Sequence, residues 1–329
     1  MPNVQYIHQQ KIKLEQHDIG DDFERYLKSL LIDVNVSEKD TLRNLSQEAA
    51  KYHLNCGGKR IRANIAIKAC AALDLNQQDS FSIGAVAELL HNGSLVHDDI
   101  QDGDKMRRGH ETVWSKYGKE IAICTGDLFI SSAYAALANI SNPSLLPEMI
   151  KLVHQQVTAT IKGQSVDVHH KVNAITSVAS YEAVVIAKSG ALLSLPLQLA
   201  LLASENAEYL AKAQQVANTF ALIYQIADDL NDVHIDMQLG DYDNLDKSYD
   251  KSVKHEDLTR LNITFILQKL VGEDGVKDKL SNAYEVTNIA KQMALEKANE
   301  CMQLAQDLPN QCGLYIQTLA LDLKAKLIN

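Results

Sequence analysis

Two short acidic runs pose the chemical question. Asp98-Asp99-Ile100-Gln101-Asp102 and Asp228-Asp229-Leu230-Asn231-Asp232 share the pattern D-D-x-x-D, lie 130 residues apart, and follow the apolar stretches Ala85 to Val96 and Phe220 to Ala227. On a helix, residues i and i+4 share a face, which sets Asp98 beside Asp102 and Asp228 beside Asp232. Like charges so placed repel, and the helix macrodipole favours acids at a helix start rather than after a long apolar run. A hard cation offsets both costs, since magnesium takes oxygen ligands and keeps waters and substrate phosphates in its shell. One such run alone reads as a solvated helix end. Two matching runs point to a shared cation site, with Asp98, Asp99, Asp102, Asp228, Asp229 and Asp232 as candidate ligands.

Two basic segments supply the complementary charge. Gly57-Gly58-Lys59-Arg60-Ile61-Arg62 places three cations just after two glycines that allow close backbone approach, and Lys105-Met106-Arg107-Arg108-Gly109 follows the first acidic run. This composition suits a diphosphate, although either segment alone reads as surface cations near a turn.

The elements that must position these groups are helical. The chain has 329 residues, 46% hydrophobic and 22% charged with 5 Pro, enough for one large core or two ordinary domains. Period-2 alternation is rare, whereas Ile65 to Leu73, Ala85 to Asp99, Glu120 to Ala138, Leu145 to Lys162, Tyr181 to Leu202, Ala207 to Asp229 and Ala283 to Asp307 carry apolar residues at helical spacing. Ser141-Asn142-Pro143 and Ser204-Glu205-Asn206 read as turns, and no linker divides the chain. The expectation is an all-α, single-domain helical bundle over residues 1–329. A net charge of −10 without a basic tract of five argues against a nucleic-acid partner. Five cysteines without metal spacing suit a reducing, cytoplasmic location. No signal peptide is evident, and the richest apolar run, Ala191 to Ala203, is too short for a transmembrane segment and reads as a buried core helix.

In series, GGKRIR, HNGSLVHDDIQD, MRRG, GQSVD, AKSG and QIADDLND resemble the trans-isoprenyl diphosphate synthase (polyprenyl synthetase) family, over Gly57 to about Asp236, with a less typical part at 237–329. The resemblance implies an all-α isoprenoid synthase fold around a deep central cavity with the two aspartate motifs facing across its mouth, usually as a homodimer. It further implies a prenyltransferase that condenses isopentenyl diphosphate with an allylic diphosphate, assisted by Mg2+, three ions being bound with the substrate diphosphates. Carried over onto this sequence, Asp98 and Asp102 are the principal metal ligands with Asp99 supporting, and Asp228 is the ligand of the second motif, completed by Asp229 and Asp232. Arg107 matches an allylic-diphosphate contact. Arg108, Lys59, Arg62 and His91 match contacts to isopentenyl diphosphate, and His91 lies two helical turns before Asp98 on the same face. Lys188, Ser189 and Gln225 match groups at the allylic diphosphate and reacting carbons, so that Lys188, Gln225, Asp98 and Asp228 are the expected catalytic set. Gln164 and Asp167 fit the GQ-x-x-D segment, in either a structural or a binding role.

The sequence departs from the family downstream of Asp236. Leu258 and Arg260 stand where a lysine and a threonine are usual if Leu261-Asn262 occupies the Leu-Pro position, and Lys247, Lys251, Lys254 or Arg260 is left to supply the lid's charge. By the family's logic Gly93 and Ser94, one turn before Asp98, floor the growing chain, with Leu90 deeper. Their small size suggests geranylgeranyl diphosphate or a longer product, shortened by Gly93→Phe, while close helix packing is the other explanation of Gly93. A terpene cyclase and a non-catalytic or regulatory subunit of a heteromeric synthase are the alternatives.

Overall fold

A computed structural model of the chain describes residues 20–31, 44–170, 177–238, 262–264, 266–267 and 279–328. In chain order the helices are α1 (Asp21–Ser29), α2 (Leu45–Asn55), α3 (Ile61–Ala72), α4 (Gln77–Asp102), α5 (Val113–Tyr117), α6 (Lys119–Leu137), α7 (Leu146–His170), α8 (Val178–Val185), α9 (Ala191–Ala203), α10 (Leu210–Gln238), α11 (Lys279–Gln306) and α12 (Leu314–Ile328). A π-helical turn, Ile186–Gly190, joins α8 to α9. Among the described residues the strands are β1 (Met106–Arg107) and β2 (His110–Glu111), a short antiparallel pair. The all-α class is as expected. Helices α1, α2, α5 and α12 lay outside the windows singled out by apolar periodicity. α1 buries only Phe23 and Leu27, too few positions to register as a repeating stripe.

The chain divides into two compact units. The first comprises residues up to Val157 with Leu192–Ala213 and Leu308–Tyr315. Within it α4 packs along α3 and α6, and α2 packs on α6. Residues Ala63 to Cys70 of α3 are buried without interruption, as expected of a helix surrounded by others. The second unit comprises Thr158–Ala191, Gln214–Asp307 and residues from Ile316 onward. There α11 buries a stripe of small side chains, Ala290, Ala294, Ala298, Cys301 and Ala305, and the Cys301 thiol lies 3.6 Å from the Val216 carbonyl of α10.

Two expectations are corrected. The π-helical turn continues α9 backward into α8, and the resulting helix Val178–Ala203, like Lys119–Leu137, is long and apolar enough to cross a membrane by length and composition. The 13-residue run had understated its length, but 78% of its apolar window is buried in the protein, as a core helix requires. The second acidic motif does not end its helix, because α10 continues to Gln238.

Candidate active site

Helix α4 has two chemically distinct faces. Glu88, Asn92 and Asp99 fall on its buried side, while His91, Ser94 and Asp98 are half-buried and Asp102 is exposed at the C-terminal turn. The spacing of the second set, at i, i+3, i+7 and i+11, keeps it on one open face. Gly103, with φ 75°, then terminates the helix, and the chain turns into the β1–β2 hairpin that carries Arg107 and Arg108.

Asp99 is 1% exposed, and its Oδ1 accepts from Arg107 Nε at 2.7 Å, with Arg107 Nη2 at 2.6 Å. Burial pushes the Asp99 carboxyl upward against the pull of Arg107. These two contacts hold Arg107 at the end of α4. Asp99 Oδ1 is thereby turned to Arg107, away from the face that Asp98 and Asp102 share, while its buried Oδ2 has no hydrogen-bond partner.

Arg108 Nη1 donates to the carbonyl of Gly57. A Cβ on Gly58, where φ is 151°, would stand 2.7 Å from that same guanidinium nitrogen. The backbone of Gly58, in a φ that favours glycine, lets the Arg108 guanidinium lie close against it, and Lys59, Arg62, Arg107 and Arg108 belong to one unit. Lys59 is exposed and Arg62 half-buried.

Beneath this cluster lies His53, 5% exposed, edge-on to Phe129 with ring centroids 5.8 Å apart. Its Nε2 has no hydrogen-bond partner. Burial, reinforced by Arg108 and Arg107, lowers its pKa to about 3, and burial with Arg62 and Arg108 holds His91 well below the ordinary histidine range. Sequence periodicity missed His53, which interrupts a short helix with no motif of its own. Below pH 6.5 the unfolded chain takes up a proton that folded His53 refuses, so stability falls as pH drops from 6.5 toward 3. In denaturant titrations between pH 7 and pH 5, His53→Gln should flatten this acid limb by about 1 kcal/mol per pH unit. An unchanged slope would refute the buried neutral imidazole.

The second acidic motif repeats the division of labour. Asp228 is exposed, whereas Asp229 is 3% exposed and held by three donors: the Tyr181 hydroxyl at 2.8 Å and the Ile263 amide at 2.9 Å on Oδ2, and Gln225 Nε2 at 2.8 Å on Oδ1. Burial raises its pKa to about 6 despite these donors. Asp229 ties α8, α10 and the segment at Ile263 together. The Asp232 side chain lies outside the described residues. Asn262 is buried, and its Oδ1 accepts from the Thr264 amide at 2.9 Å and hydroxyl at 2.6 Å, so an asparagine cap starts the turn at Ile263. Lys247, Lys251, Lys254, Leu258 and Arg260 lie outside the described residues.

The π-helical turn carries Lys188 and Ser189, both half-buried. Lys188 Nζ lies 2.5 Å from Asp167 Oδ2 on α7, joining two separately identified motifs, and Gln164 is half-buried one turn earlier. A Cβ at Gly163 would fall 2.5 Å from the Lys188 amide nitrogen. Gly163 is therefore what lets α7 and the π-helical turn meet backbone to backbone, a role that spacing alone did not disclose.

Gly93 does not open onto space. A Cβ there would meet the Gly126 carbonyl at 3.2 Å and Phe129 Cβ at 3.3 Å, so close packing of α4 on α6 accounts for the glycine. Leu90 is buried at 3% exposure, and Ser94 lies half-buried with its hydroxyl donating to the His91 carbonyl at 2.8 Å. Among the described residues no three His, Cys, Asp or Glu side chains converge to hold a metal unaided. A magnesium ion completed by substrate phosphates needs only one or two protein carboxylates.

A model of the polyprenyl synthetase family matches residues 43–302. The short chain isoprenyl diphosphate synthase of Methanocaldococcus jannaschii is 29% identical over 76% of this chain and 77% of its own length. The chloroplastic geranylgeranyl pyrophosphate synthase of Capsicum annuum is 28% identical over 68% of this chain and 64% of its own. Among solved structures, geranylgeranyl pyrophosphate synthetases from Geoglobus acetivorans and Pyrococcus horikoshii share the fold, with TM-scores of 0.72 and 0.70, identities of 20% and 23%, and coverage of 92% and 96% of this chain and 96% of each of theirs.

Proposed function

Because the chain belongs to the polyprenyl synthetase family, we propose that it condenses isopentenyl diphosphate with dimethylallyl, geranyl or farnesyl diphosphate, giving an all-trans polyprenyl diphosphate of geranylgeranyl length or longer. It is an enzyme, a transferase of prenyl groups. The observation that carries the substrate assignment is the end of α4, where outward carboxylates on Asp98 and Asp102 adjoin an arginine held by the inward Asp99. Cation-binding oxygens and an anion-binding guanidinium within one turn fit a metal-bound diphosphate.

In this proposal Asp98, Asp102 and Asp228 hold Mg2+, which when bound supplies positive charge to the departing diphosphate. Arg107, Lys188, Ser189 and Gln225 take the family's roles at the allylic diphosphate. Asp99 and Asp167 hold Arg107 and Lys188 in place. Lys59, Arg62, Arg108 and neutral His91 bind isopentenyl diphosphate, orienting its double bond toward the allylic carbon. No nucleophilic side chain is required, because the double bond attacks the allylic cation and a proton leaves the condensed product. Released diphosphate is the base.

The single-domain reading belongs with this proposal, since the family match runs through residues of both compact units. A homodimer is supported by exposed apolar side chains on α6 and α7, among them Ile123, Tyr134 and Ile150. Cysteines 56, 70, 124, 301 and 312, all unpaired, support a reducing, cytoplasmic setting.

Purified protein with magnesium, labelled isopentenyl diphosphate and each allylic diphosphate should yield a ladder of prenyl products ending at a defined length. Consumption of an allylic diphosphate without isopentenyl diphosphate would indicate a cyclase instead. Product formed only with a second protein present would indicate a regulatory subunit.

A further inference from the structure

Of the three cations in Gly57-Gly58-Lys59-Arg60-Ile61-Arg62, the middle one is turned away from any ligand. Arg60 sits at the N-cap of α3 in the left-handed region, φ 47° and ψ 38°, a conformation that a long side chain adopts only when its surroundings hold it there. Its side chain is 9% exposed. Nε lies 2.7 Å from Glu24 Oε1, and Nη2 donates to Glu24 Oε2 at 3.2 Å and to the Leu54 carbonyl at 3.2 Å. Nη1 lies 3.8 Å from Oε2 of Glu88, whose side chain is 3% exposed. Glu88 Oε1 in turn accepts from the Ala63 amide at 3.1 Å, one of the donors at the start of α3 that no helical carbonyl can reach. The Arg60 carbonyl accepts from the Asn64 amide at 2.9 Å. Arg60 thus joins α1, the end of α2 and the buried face of α4, and its charge is matched by two carboxylates.

We propose that Arg60, through Glu24 and Glu88, is a positioning residue that locks the Gly57–Arg60 turn, so that Lys59 and Arg62 meet isopentenyl diphosphate already oriented. The proposal rests on the prenyltransferase function above. α4 then serves both substrate sites, presenting Asp98 and Asp102 on its open face while Glu88 on its buried face anchors the turn. A guanidinium suits the task because its fork engages Glu24 through two nitrogens and still reaches Leu54 and Glu88, which a point-charge ammonium cannot do.

Steady-state kinetics of wild type, Arg60→Gln, Arg60→Lys and Glu24→Gln test it, with amide hydrogen exchange at Ala63. In Arg60→Gln the KM for isopentenyl diphosphate should rise at least tenfold, the KM for the allylic substrate and kcat should change less than threefold, and the Ala63 amide should exchange faster. Arg60→Lys should recover part of the affinity. Glu24 is 31% exposed at its side chain, so Glu24→Gln is the variant that stays folded if Arg60→Gln does not, and it should shift the same KM in the same direction. A merely structural role would lower the thermal midpoint of the variants and leave both KM values as in wild type, which overturns the proposal. Wild-type protein inactive with every substrate pair would overturn the prenyltransferase function and this proposal with it. An active wild type with unshifted variants overturns this proposal alone.

Discussion

Asp98→Ala and Asp228→Ala should each lower prenyl transfer about a thousandfold or more while leaving the protein as stable as wild type. The two effects separate because these carboxylates lie on the half-buried or exposed side of their helices. Removing Asp98 even relieves its repulsion with Asp102 one turn on. Asp99→Ala and Asp229→Ala should behave differently. The first leaves Arg107 without its buried counter-ion, and the second strands the Tyr181 hydroxyl, the Ile263 amide and the Gln225 side chain. Each should cost about 3 kcal/mol of folding stability, measurable as a fall in the denaturation midpoint. Near-normal turnover in Asp98→Ala or Asp228→Ala would contradict the proposed metal ligands. A stable Asp229→Ala would contradict its role as a tie between helices.

Aromatic substitutions at neighbouring positions of α4 should have opposite outcomes. Ser94→Phe places a ring on the half-buried face that also carries Asp98, and in the prenyl-transfer assay the longest product should shorten by at least one isoprene unit with the fold retained. Gly93→Phe would drive a side chain into the Gly126 carbonyl and Phe129, where even a methyl group is tight, and should destabilise the protein by about 3 kcal/mol or more. An unchanged product distribution in Ser94→Phe would put the chain-length floor elsewhere. A stable Gly93→Phe enzyme with a shorter product would place Gly93 in it.

Much of the site is legible in the sequence because its chemistry is local. The D-D-x-x-D spacing places carboxylates one helical turn apart whatever surrounds them, and the six motifs follow in fixed order. What spacing cannot distinguish is which side of the helix meets protein. Asp98 and Asp99 are adjacent and chemically identical, yet a rotation of about 100° between consecutive residues gives one to the open face and the other to Arg107. The same rotation separates Ser94 from Gly93. Arg60 and Lys59 differ in the same way, one bound by two glutamates from distant helices and the other exposed.

The sequence by itself determined the all-α class, the helices from α3 to α11 other than α5 that carry apolar stripes, the acidic and basic residue sets and the family they resemble. These depend on periodicity and composition, which are properties of short stretches of chain. Only the tertiary structure decided which of these charges are spent on one another. Ion pairs such as Arg60 with Glu24, Arg107 with Asp99 and Lys188 with Asp167, and close approaches such as Gly163 at Lys188, are set by how distant helices pack. A buried charge must find its partner wherever the packing places one, and no local pattern records where that is.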